Sequence, residues 1–141
     1  MSICLENRLD YCCYWLGLSM IGVVPALINH NLRQQSLQHT ITIVKSKAVI
    51  FSKETEQAVA EIVEEESEDS DLALFCADTP SLMSCDVTSL AQVLPSQSTE
   101  IITEKLSCYN DPMVYVYTSG TTGMPKAATV KHSRFESRQT S

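Results

Sequence analysis

Basic residues are scarce in this chain of 141 residues: 10 lysines and arginines face 17 aspartates and glutamates, a formal net charge of −7. That balance argues against nucleic-acid binding as the main role, because a phosphate backbone rewards clustered positive charge. Metal-ligand spacing is missing as well. The six cysteines, Cys4, Cys12, Cys13, Cys76, Cys85 and Cys108, include no Cys-x-x-Cys pair, and no histidine stands at ligand spacing from them. No secretory signal precedes them, so the expectation is free thiols, buried or half-buried, in a reducing compartment. A membrane span is not expected either. Tyr11 to Ile28, YCCYWLGLSMIGVVPALI, runs eighteen residues without a charge, the length of a short spanning helix. Gly22 is placed as a helix C-cap, however, and Pro25 stops a helix from continuing. The pattern predicts a buried amphipathic helix over about 10–21 and a short strand over 23–28.

What is present points to one folded domain. Hydrophobic residues make up 44% of the chain, too many for disorder throughout, and the length allows a core. The acidic block EIVEEESEDSD (Glu61 to Asp71) reads as the solvated end of a helix running into an acidic loop. Leu32, Leu37, Ile41 and Val44 fall near helical spacing, and Ala48 to Phe51 (AVIF) follows as a strand. Ala58, Val59, Ile62 and Val63 form one face of a further Glu-rich helix, and Leu72 to Ala77 (LALFCA) is the next strand. Alternating helices and strands make the fold class α/β, a parallel sheet with flanking helices covered on both faces. From Asp78 to Tyr109, prolines, serines and threonines predict mixed loops and short turns, with a hint of helix around Leu90 to Leu94.

The sequence MVYVYT, β-branched and aromatic, then runs into TSGTTGMPK. Thr118, Ser119, Gly120, Thr121, Thr122 and Gly123 supply hydroxyls, backbone N–H groups and glycines that permit close approach; Lys126 adds a full positive charge behind Pro125. Converging donors of this kind suit nucleotide phosphates. The spacing is not that of a Walker A loop, since the lysine follows proline and is followed by alanine. By residue type alone, a polar hairpin turn between MVYVYT and KAATV is an equal reading.

The eleven-residue string YTSGTTGMPKA (Tyr117 to Ala127) resembles the signature loop of the adenylate-forming superfamily: acyl-CoA synthetases, luciferases and peptide-synthetase adenylation domains. Leu5-Glu6-Asn7-Arg8, Trp15-Leu16-Gly17, Gly22-Val23, Ala26 to Asn29, Asn31-Leu32-Arg33, KAVIF and KAATVKHSR are similar to the fatty acid transport proteins, or very-long-chain acyl-CoA synthetases. The resemblance implies a two-step ligase using ATP, Mg2+ and coenzyme A. A long-chain fatty acid carboxylate attacks the α-phosphate of ATP, and coenzyme A then displaces AMP. It implies that Thr118, Ser119, Gly120, Thr121, Thr122, Gly123 and Lys126 hold the β- and γ-phosphates, by positioning and charge neutralisation.

By that resemblance, residues 1–135 are an internal portion of the N-terminal adenylation (AMP-binding) domain and 136–141 an off-pattern tail. The segments expected to bind adenine, ribose and magnesium, the C-terminal domain with its catalytic lysine and most of the fatty-acid tunnel have no counterpart in the sequence. The expectation is therefore a chain inactive alone, with a non-catalytic binding module or decoy as the alternative. The family implies membrane association, at endoplasmic reticulum, plasma membrane or peroxisome, through segments absent here; the piece itself would be cytosolic, and its oligomeric state is not specified. His39 reads as a helix residue at the core edge. His132 is a candidate acyl- or phosphate-adjacent residue, Tyr14 and Trp15 read as core or interface aromatics, and Glu6 with Arg8 as a surface pair of little energetic value.

Overall fold

The computed structural model describes residues 1–65, 71–82, 86–100, 108–119 and 123–136. The centre of the acidic block, Cys85, part of the serine-rich connection, Gly120, Thr121, Thr122 and all but the first residue of the tail lie outside the described residues. The elements in chain order are β1 (Ser2–Cys4), α1 (Leu9–Met20), β2 (Ala26–Leu27), α2 (Gln34–Ile43), β3 (Ala48–Phe51), α3 (Glu56–Glu65), β4 (Ala73–Cys76), β5 (Val87–Ser89), α4 (Leu90–Val93), β6 (Pro112–Thr118), β7 (Lys126–Lys131) and α5 (His132–Glu136).

The described strands form one seven-stranded sheet, β5-β4-β3-β1-β2-β6-β7. Every neighbouring pair is parallel except β6 with β7. Period-two alternation sorts the strand residues between two helical layers. Cys4, Val49, Phe51, Leu74 and Cys76 face one side and meet Leu37 and Ile41 of α2 with Ala58, Val59 and Ile62 of α3. Ile3, Leu5, Ile50 and Ala77 face the other, against Tyr11, Tyr14, Trp15 and Leu18 of α1 and Leu90 of α4. The expected α/β class holds, and β3 is buried at all four positions, as expected of a strand covered on both faces.

Three local expectations change. The strand forecast over 23–28 shrinks to Ala26–Leu27. Val23 N–H is spent on Leu18 O (3.0 Å), which closes the end of α1, and Pro25 has no N–H to give. Gly22 does sit past the helix end, at φ 76°, and its N–H bonds Ser19 O at 3.3 Å. Together these bonds make the Schellman closure that a glycine favours. Secondly, α1 is not buried: Ser19 is its one buried residue, and apolar side chains surround it so that Leu16 and Met20 face solvent. Finally, the connection after Asp78 contains a strand. β5 pairs with β4 from Leu74↔Val87 to Cys76↔Ser89, too short and polar an edge to announce itself by periodicity.

Candidate functional site at the carboxyl edge of the sheet

Because β1 to β6 all run in one direction, their following loops gather at one edge of the sheet. The chain leaves β1 through α1 on one face and leaves β2 through α2 on the other. A sheet that changes face in this way opens a crevice at its carboxyl edge, the usual ligand position of open α/β folds.

The loop singled out in the sequence arises at this edge. β6 and β7 make an antiparallel hairpin that closes at Thr118↔Lys126, so the alternative of a hairpin and the reading as an anion loop describe the same piece of chain. Thr118 Oγ1 lies 3.5 Å from the Lys126 carbonyl across the closing pair. Thr118, Ser119, Gly123 and Lys126 are exposed, leaving the ammonium and hydroxyls open to a ligand. Gly123 has φ 86° with open space where a Cβ would stand, so its backbone conformation, not crowding, asks for glycine. Gly120, Thr121 and Thr122 are outside the described residues.

Both arms of the hairpin are tied to α2. The Tyr117 hydroxyl donates to the Thr40 carbonyl, and burial pushes its phenol up to about 12, keeping it a donor. On the other arm, His39 Nε2 lies 3.2 Å from the Pro125 carbonyl. Sequence reasoning placed His39 at the core edge without a partner, and the partner is the residue before Lys126. His132, by contrast, opens α5 at the far end of β7, six residues beyond Lys126 and so about 20 Å along the strand. Its backbone N–H bonds Asp111 O at 3.2 Å. That position does not support a phosphate-adjacent role.

Beside the loop, the same edge carries a salt-bridge network that sequence reasoning reduced to a surface pair. Arg8 presents Nη1 and Nη2 to the two carboxylate oxygens of Asp78, each at 3.0 Å. Its Nε meets Asp10 Oδ1 at 2.7 Å, and Nη1 also meets Glu6 Oε1 at 3.3 Å. Asp78 further accepts the Lys53 N–H at 3.0 Å, and Glu6 accepts the Ser52 hydroxyl. The bidentate bond from Arg8 is the main cause holding the Asp78 carboxyl below its usual range. The loops after β1, β3 and β4 are thus lashed together, and the Arg8 charge is already committed to carboxylates. A few residues on, fully buried Glu56 accepts the N–H groups of Ser81 and Leu82, both at 2.8 Å. Nothing in local pattern could have announced Asp78, which stands 70 residues from Arg8.

Among the described residues no group of three or more His, Cys, Asp and Glu side chains is arranged to hold a metal ion. Cys4, Cys12, Cys13, Cys76 and Cys108 are free thiols. Burial raises Cys4 to about 11 and Cys76 upward, which makes both poor nucleophiles. Cys12, Cys13 and Cys108 are exposed, against the expectation of buried or half-buried thiols. No helix among the described residues is long and apolar enough to cross a membrane.

Comparison with known proteins bears on this geometry. A family model described as AMP-binding enzyme matches residues 1–140. Long-chain fatty acid transport protein 1 of Homo sapiens is 38% identical over 138 residues, covering 96% of this chain and 21% of that protein. Long-chain fatty acid transport protein 2 of Rattus norvegicus is 31% identical over 137 residues, 95% of this chain and 22% of that protein. This chain therefore spans about a fifth of the length of these curated relatives. Among solved structures, a long-chain-fatty-acid-CoA ligase of Archaeoglobus fulgidus superposes with a TM-score of 0.73 at 22% identity, over 93% of this chain and 24% of that one. A fatty acyl CoA synthetase of Mycobacterium tuberculosis gives 0.68 at 22%, with the same coverages of 93% and 24%. At such identity the two structures speak for the fold.

Proposed function

The chain belongs to the AMP-binding enzyme family, and from that premise we propose that its β6–β7 loop is the phosphate grip of a long-chain fatty acid–CoA ligase. Thr118, Ser119, Gly120, Thr121, Thr122, Gly123 and Lys126 would receive the β- and γ-phosphates of ATP. In the whole enzyme a fatty acid carboxylate attacks the α-phosphate, pyrophosphate leaves, and the thiolate of coenzyme A displaces AMP from the acyl-adenylate. The observation that carries the reading is the exposed Thr118–Lys126 closure at the carboxyl edge, with Gly123 at positive φ. Hydroxyls and an ammonium on a braced hairpin stabilise anionic oxygens by standing ready where the charge lies.

The likeness to proteins named long-chain fatty acid transport proteins supports a long-chain acid as substrate and coupling of ligation to uptake at a membrane. Mg2+ and coenzyme A belong to the whole enzyme in this reading. In this reading residues 1–135 belong to the portion of the adenylation domain that supplies the grip. Two measurements test the assignment. Lys126→Ala or Thr121→Ala in a full-length relative carrying this loop should lower ATP use by about 10-fold or more; unchanged kinetics would sink the phosphate grip. The isolated 141-residue chain, given ATP, magnesium and palmitate, should form no acyl-adenylate, and steady product would show that it carries more of the machinery than the grip.

A further inference from the structure

We propose that His39 is a positioning residue for the phosphate loop, setting the direction in which Lys126 leaves it; the proposal rests on the phosphate-grip reading. The hairpin ladder ends at Thr118↔Lys126. Pro125, one step into the loop, has no N–H, so its carbonyl is its single main-chain hydrogen-bonding group. His39 Nε2 holds that carbonyl at 3.2 Å. A carbonyl only accepts, which means the ring carries its proton on Nε2; the neutral Nε2–H tautomer and the imidazolium can both make the bond.

The strut has a rigid base. α2 is anchored by buried Leu37, Thr40 and Ile41, and Thr40, the residue beside His39, receives the Tyr117 hydroxyl from the opposite arm. Two adjacent residues of one helix therefore grip the hairpin on both sides of its loop, across sequence separations of 77 and 86 residues. Lys126 acts on phosphate as a point charge on a flexible stem. The placement of its backbone decides how much of its reach is spent before it meets the ligand. A carbonyl fixed one residue earlier sets that placement.

The test uses the whole 141-residue chain with two independent readouts: amide hydrogen exchange over residues 123–128 without nucleotide, and calorimetric affinity for MgATP. The His39→Ala chain should exchange about fivefold faster in that stretch and bind MgATP about fivefold more weakly, the equilibrium worth of one half-buried hydrogen bond. His39→Gln, whose side-chain amide can donate to the same carbonyl, should restore both. Lys126→Ala should lose affinity while its exchange stays as in the parent chain. Parental exchange in His39→Ala overturns the inference, whatever happens to nucleotide. Faster exchange spread equally through α2 and β3 overturns it too, since that marks global destabilisation. Local exchange that responds to His39 in a chain whose MgATP binding is indifferent to Lys126 overturns the phosphate reading, and the positioning role with it, while leaving the strut itself intact.

Discussion

Arg8 ties three carboxylates together at the carboxyl edge. Its guanidinium serves Asp78, Asp10 and Glu6 at once, and the planar fork suits the bidentate contact in a way an ammonium cannot. The pairs are part-exposed, with about a quarter of the Arg8 side chain accessible, so solvent screening discounts them. Arg8→Ala should cost about 1–2 kcal/mol in urea unfolding, and Arg8→Lys should recover less than half. Asp78 adds a pH signature. Its folded pKa is lowered, so its contribution is complete above the ordinary carboxylate value and is lost as pH falls through the lowered one. Stability of the parent chain should fall as pH drops from the ordinary carboxylate range through the lowered pKa of Asp78, and Arg8→Ala should flatten that fall. An equal acid slope in both proteins would deny the pairing its role.

At the scale of elements, the two long connections α1–β2 and α2–β3 end their helices in the same way with different residues. After α1 the left-handed position is Gly22 at φ 76°; after α2 it is Lys45 at φ 50°. Ser46 N–H reaches Ile41 O at 3.2 Å and Lys45 N–H reaches Thr42 O at 2.9 Å, the bonds of a Schellman closure made on a side chain that resists it. Lys45→Gly should raise stability by about 0.5–1 kcal/mol, the relief of a left-handed lysine less the extra freedom of glycine in the unfolded chain. A thermal midpoint that fails to rise would mean that the Lys45 side chain contributes more than its backbone costs. The glycine stop was plain in the sequence because Gly advertises its conformation. The lysine stop was not, since no residue type marks a site that tertiary packing forces.

For the molecule as a whole, the two layers over the sheet are unequal. The face under α2 and α3 is closed by a continuous core. The opposite face has α1 and the four-residue α4, with an apolar cavity of about 260 Å³ between them lined by Cys13, Leu18, Ile50, Phe75, Leu90 and Leu94. Ile21 and Leu94 of its lining are 39% and 50% exposed, and Met20, beside Ile21 at the end of α1, is 61% exposed, apolar surface of the kind that buries itself against a second molecule. The 141-residue chain should therefore self-associate as its concentration rises in sedimentation velocity. The pair Met20→Lys and Leu94→Lys should hold it at the monomer value without lowering its melting temperature; concentration-independent sedimentation of the parent chain would contradict this.

The sequence by itself determined the alternation of helices and strands, the glycine stop of α1, the strand-loop-lysine string and the family, because each is written in neighbouring residues. Period-two and helical spacing, a φ that suits glycine and an eleven-residue motif need no distant partner. Tertiary structure alone decided the strand order, with β1 brought between β3 and β2, and the acceptance of β5 as a strand, whose short polar run gains its ladder from β4. It also decided the partners of Arg8 and His39. Those contacts join residues 70 and 86 positions apart, where the energy lies in hydrogen-bond geometry between folded elements and leaves no periodic trace along the chain.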